Sequence, residues 1–250
     1  SLVPVSLPGA ELPGGYKIAA RETYGHISNG MICSAAELGL TAKSEGIITL
    51  DESFAEYIGQ AALPLLGGAD TVFDDNVTPD RGYALSMRGL GREIASAFNL
   101  KFVDPVGEVS QASGSLIDID LREETKAIRF GLRKVTGIDP KAQSPFWMQR
   151  ILMLAGQRPV NLATDVTNYV MLYLGQPMHA FDANKVAGNL VVRNAQAGEK
   201  FETLDHVNRE LFAEDVVICD DNGIQSLAGV MGGTTSGISD DTTDGYFRAA

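Results

Sequence analysis

Thr167, Asn168 and His179 are the residues whose types and spacing could do chemistry. They lie in Asn161–Asp182, which reads NLATDVTNYVMLYLGQPMHAFD. An imidazole that titrates near neutrality can hold or deprotonate a water molecule, and a nearby amide and hydroxyl can orient what that water attacks. A lone histidine is more often a satisfied structural one; here Asp182, three residues on, could orient the ring. Gly232-Gly233 follows the expected strand Leu227–Met231. Without side chains, that pair allows either close backbone approach to a ligand or a tight turn.

The elements that must position these groups are legible around them. Thr164 or Asp165 can cap a helix, and Gly175 can end it in a left-handed conformation. Gln176-Pro177 then turns the chain and His179 follows at once, so helix and loop residues can converge on one small volume. Upstream, Val3–Leu7 and Tyr16–Arg21 read as strands between Gly/Pro turns, and short strands with frequent turns suggest a small β-barrel. Asp51 can cap a helix running to about Ala62, ended by Leu63-Pro64. Thr71–Asn76 reads as a strand, and Thr78-Pro79 as a cap followed by proline at the first helical position. That helix runs to about Phe98, with Leu85, Leu90, Ile94 and Phe98 on or near one face.

Beyond a linker at Gly107–Gly114, Leu116–Asp120 and Ala127–Thr136 alternate like strands. Ser144-Pro145 caps a helix ended near Ala155-Gly156. Leu190–Arg193, Glu202–Leu204, Val216–Cys219 and Leu227–Met231 read as further strands, with Asp220–Gly223 as a hairpin turn. The expected architecture is multidomain α+β: a partial OB-like barrel over 1–66, a small α/β unit over 67–106, a linker over 107–114 and a mixed α+β domain over 115–250.

The bulk composition bounds the function. The 250 residues are 44% hydrophobic and 21% charged, enough for real cores. The apolar runs are too short to cross a bilayer, and no secretory signal is visible. The chain starts at Ser1 without methionine and stops at Ala250 in an apparent strand, which reads as a fragment. Its net charge of −12, from 32 acids against 20 bases, argues against autonomous high-affinity nucleic-acid binding. Such a chain can still meet RNA locally if a partner supplies most phosphate contacts. Cys33 and Cys219 are far apart and read as reduced thiols of a cytosolic protein.

Other candidate sites read as structural. Gly89-x-Gly91 lies within a helical pattern and lacks the third glycine of a dinucleotide fingerprint, so it is a packing feature. Asp118 and Asp120 would share a strand face, but these and the pairs Asp74-Asp75 and Asp240-Asp241 lack a calcium-loop spacing. No metal site is expected.

Three ordered blocks carry a resemblance that spans essentially the whole chain. Val3–Leu40 resembles the second half of the tRNA-binding-type OB module of the bacterial phenylalanyl-tRNA synthetase beta-subunit family. Phe73–Ala95, FDDNVTPDRGYALSMRGLGREIA, is similar to the small domain after it. From about Asp118 to Ala250, through SPFWMQRILMLAGQRPVNLATDVTNYV, GQPMHAFD and LAGVMGG, the chain resembles that family's B3/B4 editing domain.

The resemblance implies a cytoplasmic αβ heterotetramer whose alpha subunit joins phenylalanine to tRNA(Phe), with ATP and magnesium used by the whole enzyme and no cofactor on this segment. It implies an editing site that hydrolyses tyrosyl-tRNA(Phe), with Thr167, Asn168 and His179 as its working residues and Gly232 beside the bound ring. The family has a glutamate for the tyrosine hydroxyl where this chain has Arg248, which can donate to that oxygen but cannot accept its proton. Either tyrosine is read differently here, or the last residues align otherwise. The family's Thr-Asp-Ala-Ser pocket segment would lie beyond Ala250. A silent structural and tRNA-docking scaffold is the alternative, and a stand-alone OB-type tRNA-binding protein a distant third.

Overall fold

A computed structural model describes the chain except at residues 45, 69, 110, 115 and 250. The expected domain start at residue 115 and the last residue of the Tyr246–Ala250 segment therefore lie outside the described residues. In chain order, six short strands come first: β1 (Val5–Ser6), β2 (Glu11–Leu12), β3 (Tyr16–Lys17), β4 (Arg21–Thr23), β5 (His26–Ser28) and β6 (Met31–Ile32). Helices α1 (Ala62–Leu65) and α2 (Met87–Ala97) precede β7 (Ile119–Leu121) and β8 (Gly131–Thr136). Then come α3 (Phe146–Leu154), α4 (Leu162–Leu174), β9 (Met178–Asp182), β10 (Leu190–Asn194), β11 (Lys200–Glu202) and β12 (Asn208–Glu210). The last four strands are β13 (Val216–Asp220), β14 (Gly223–Leu227), β15 (Met231–Gly232) and β16 (Asp244–Ala249). The chain is mixed α+β, as its sequence leads one to expect.

It divides into two compact units, residues 1–75 with 144–159, and residues 76–143 with 160–250. In the first, β1–β6, β2–β3 and β4–β5 form three separate antiparallel two-stranded ladders. Leu12, Ile18 and Cys33 form one small core, and Ile48, Leu66, Phe146 and Met153 form another. Phe146 and Met153 come from α3, and Phe54 meets Phe146 edge-on at 5.5 Å.

In the second unit, a five-stranded sheet runs β15-β14-β13-β10-β7, antiparallel except where β7 lies parallel to β10. A three-stranded sheet, β8-β16-β9, has β16 at its centre with both neighbours antiparallel. The two sheets pack through Phe181 of β9 and Tyr246 of β16 against Leu190 and Val192 of β10 and Ile218 of β13. Burying these large side chains at about 1.5–3 kcal/mol each is what holds one sheet on the other.

Local structure departs from expectation where pairing or packing decides it. Asp51 does cap, accepting from the Ser53 N–H, but over a 3-10 segment Glu52–Tyr57 that stops before Gly59, whose φ is +82°. Leu63-Pro64 lies inside α1 instead of ending a helix. Proline is tolerated there because the first-turn N–H groups have no intrahelical acceptor. Thr71–Asn76 joins no ladder; Val72 and Phe73 are exposed, and an extended segment without a pairing edge is not a strand.

Thr78 precedes a 3-10 stretch, Pro79–Ala84, kinked at Arg81, and the helix proper restarts after Ser86, whose hydroxyl accepts from the Gly89 N–H at 3.1 Å. The buried residues of α2 are Gly89 and Ala95, whereas Leu85, Ile94 and Phe98 are exposed. Close approach selected small residues over large ones: a Cβ on Gly89 would overlap the Tyr83 carbonyl. The strand expected at Leu116–Asp120 is β7, starting at Ile119, and that at Ala127–Thr136 starts only at Gly131, after Lys126 turns through φ +57°. Pro145, not Ser144, is the cap position of α3. Leu227–Met231 is two strands joined by a turn at Gly229, φ +70°, and the ladder expected at Glu202–Leu204 is β11, ending at Glu202.

Candidate functional site

Asn161, not Thr164 or Asp165, caps α4: its side chain accepts from the Thr164 N–H at 2.9 Å. Asp165 is buried one turn in and accepts from the Val160 N–H at 2.8 Å, tying the approach segment to the helix. Gly175 ends the helix at φ +80°, as its position leads one to expect. The chain then reverses and enters β9, against which α4 packs. His179 is therefore a strand residue held in a hydrogen-bonded ladder, a firmer mount than a loop.

Register decides its neighbours. His179 pairs with Arg248, and two residues along Phe181 pairs with Tyr246, so these four side chains share one face of the three-stranded sheet. The His179 and Phe181 rings meet edge to face at 4.7 Å, and the Arg248 guanidinium lies 5.7 Å from the Phe181 ring centre. From the opposing sheet, Ser226 of β14 accepts from Arg248 Nη2 at 2.7 Å and donates to the Met231 carbonyl at 3.1 Å. Gly232 is paired with Ser226 on the neighbouring strand. A Cβ there would overlap the His179 ring, so glycine is what lets the imidazole lie on this backbone.

Electrostatically the site holds one buried cation beside an uncharged imidazole. Burial, then the Arg248 charge, pushes His179 down to about 4, so at neutral pH it is an uncharged imidazole. Its Nε2 is buried and makes no hydrogen bond. Arg248 is 6% exposed and its Nε is likewise without a partner, while burial draws the guanidinium down to about 10. Such orphaned polar atoms are uncommon in folded chains.

Of the expected site residues, His179, Gly232 and Arg248 come together. Thr167 is buried in α4 and gives its hydroxyl to the Thr164 carbonyl at 2.7 Å; Asn168 is half-buried on the same helix. Neither bonds to the imidazole. Asp182 does not orient it either, because three positions along a strand reverse the face. Its carboxylate accepts from Thr242 at 2.7 Å and from the Asn184 N–H at 3.0 Å, fastening the turn before β16 to the end of β9. Asp118 precedes β7 and Asp120 pairs with Arg122 at 2.9 Å, so they form no carboxylate pair. Ser226 is not legible in the sequence: nothing in GIQSL singles it out, since only the packing of one sheet on the other carries it to Arg248.

Residues 126–250 match the family model of the B3/4 domain. Over 99% of its length the chain is 72% identical to a phenylalanine–tRNA ligase beta subunit of Corynebacterium glutamicum, and over 100% it is 68% identical to that of Corynebacterium diphtheriae. The corresponding protein of Thermobifida fusca is 52% identical over the full chain. The chain spans only about 31% of the length of the two Corynebacterium relatives. It also overlaps an N-terminal fragment of the phenylalanyl-tRNA synthetase beta subunit from Pyrococcus horikoshii, at 17% identity, a TM-score of 0.43, and coverage of 80% of this chain and 66% of that one. With the model matched over half its residues and likeness to the ligase beta subunits from end to end, this chain belongs to the B3/4 domain family, in the form that phenylalanine–tRNA ligase beta subunits carry.

Proposed function

We propose that the chain is the part of a phenylalanine–tRNA ligase beta subunit that docks tRNA(Phe) and hydrolyses tyrosine wrongly attached to it. The observation that carries this reading is the convergence of His179, Gly232 and Arg248 between two sheets, with a buried polar atom of His179 and one of Arg248 left without a partner. The need is physical: an apolar phenylalanine pocket rejects an added hydroxyl only weakly, so a second site must read it.

In this reading Asn168 and Thr167 hold the ester end of the substrate, and neutral His179 accepts a hydrogen bond from the attacking water. Water adds to the ester carbonyl, the carbon–oxygen bond to the ribose breaks, and free tyrosine leaves with the tRNA hydroxyl regenerated. Gly232 borders the tyrosine ring, and Arg248 donates to its oxygen. Residues 1–66 and 67–106 serve as docking modules and 115–250 as the editing domain. The whole enzyme is an α2β2 cytoplasmic assembly with the alpha subunit as partner. ATP and magnesium belong to its synthetic centre; among the described residues no group of three His, Cys, Asp or Glu is placed to hold a metal ion. No helix among the described residues is long and apolar enough to cross a membrane.

A scaffold without hydrolysis is the second reading. One feature favours it: the resemblance leads one to expect a glutamate near this point, and the aligned segment carries Arg248. The full-length beta chain assembled with alpha decides between them. Selective hydrolysis of tyrosyl- over phenylalanyl-tRNA is expected, with His179→Ala slowing it by about 10²-fold. Hydrolysis no faster than the spontaneous rate, with aminoacylation intact, leaves only the scaffold; undiminished clearance by His179→Ala removes that residue from the reaction.

A further inference from the structure

The β4–β5 hairpin carries a bulky side chain where its turn favours a small one. Thr23 pairs with His26, so Tyr24 and Gly25 alone make the turn. Both have positive φ, +52° and +74°, the two-residue pattern that favours Asn-Gly. A tyrosine is sterically strained in that left-handed region. No packing within this chain offsets the strain: Tyr24 is 98% exposed, and all six strand residues are exposed as well. The hairpin joins no other strand among the described residues. One of its faces carries Arg21, Thr23 and His26, all hydrogen-bond donors, and no acid; Glu22 and Ile27 lie on the other.

We propose that Tyr24 is a stacking platform for an unpaired base of tRNA, with Arg21 and His26 beside it. The proposal deepens the docking half of the proposed function and rests on that reading for its partner. Charge decides the kind of contact. A chain of net charge −12 gains little from releasing counterions along a phosphate backbone. A base stacked on an aromatic ring needs no such excess of positive charge, and every base offers a π-face. A tyrosine has only two side-chain torsions to fix, so an exposed ring at a hairpin tip loses little entropy on stacking.

The test is binding of uncharged tRNA(Phe) to the full-length beta chain assembled with alpha. Tyr24→Asn should weaken it by about tenfold, and Tyr24→Phe, which keeps the ring, by less than about twofold. The slope of affinity against salt should stay the same in both, since no phosphate contact is removed. Hydrogen exchange separates contact from folding. Asparagine suits the turn, so residues 21–28 of Tyr24→Asn should exchange no faster than in the parent. Faster exchange there together with weaker binding makes Tyr24 a structural residue and overturns the proposal. So does a salt slope lowered by about one, which means a lost phosphate contact. Equal weakening by the two variants overturns stacking and leaves a role for the hydroxyl. Failure of Tyr24→Asn to assemble with alpha, its exchange unchanged, overturns the base in favour of a protein contact. Parent binding that Tyr24→Asn leaves intact sinks this inference alone. A parent assembly that binds no tRNA sinks the docking reading, and this inference with it.

Discussion

His179 makes the fold sensitive to acid within a defined window. It titrates near 6.5 when unfolded and at about 4 when folded, because burial and Arg248 disfavour its charged form. Between those values the unfolded chain binds a proton that the folded chain refuses, so stability falls as pH drops from 6.5 towards 4 and is fully present above 6.5. The size of the effect is at most about 3 kcal/mol. Urea unfolding across that range should show this slope, and His179→Gln should flatten it; an unchanged slope would assign the acid limb to other groups. Arg248 carries the opposite lesson for stability. Replacing it with methionine should leave the melting temperature unchanged or raise it, since an uncompensated buried cation is removed and apolar volume kept. His179 and Gly232 were legible in the sequence as candidate chemistry, but their contact was not: His179 meets Arg248 through strand register, and Ser226 and Gly232 reach them only because one sheet packs on the other.

The elements show why some of the fold could be read and some could not. Helix α4 was legible because its stop signal, Gly175, is local, although the cap proved to be Asn161. The hairpin at Asp220–Gly223 was equally local. Thr71–Asn76 had strand-like residues and no partner, and nothing within six residues announces a missing edge. In α2 the large apolar residues do not mark the buried face, because the seam is lined by Gly89 and Ala95. Gly89→Ala should therefore cost about 2 kcal/mol or more, the Cβ colliding with backbone that cannot swing aside. Gly82→Ala, with nothing within 4 Å of the added carbon, is the control and should be nearly neutral. Thermal unfolding of the two variants measures the difference, and equal melting temperatures would refute the close approach of α2 to the Tyr83 backbone.

For the molecule as a whole, stability is unevenly distributed. The second unit buries large side chains between two sheets, while the first relies on two- and three-residue ladders around small cores. Native-state hydrogen exchange should find the slowest amides in β10 and β13 and the fastest in β2–β3 and β4–β5. Equal protection in both units would contradict that ordering. The α+β class could be read from composition and turn spacing. The assignment of α3 to the first unit could not, because no local signal says that Phe146 and Met153 complete a core begun by Ile48 and Leu66. That interleaving also has a consequence for the ribosome. The first 75 residues cannot finish their core until residue 159 has been made, 84 residues later. At about 5–20 residues per second they wait on the order of 4 to 17 s with Leu66 and Ile48 uncovered. In the cell this segment is a natural client for chaperones, and slow codons between residues 76 and 143 would lengthen its exposure.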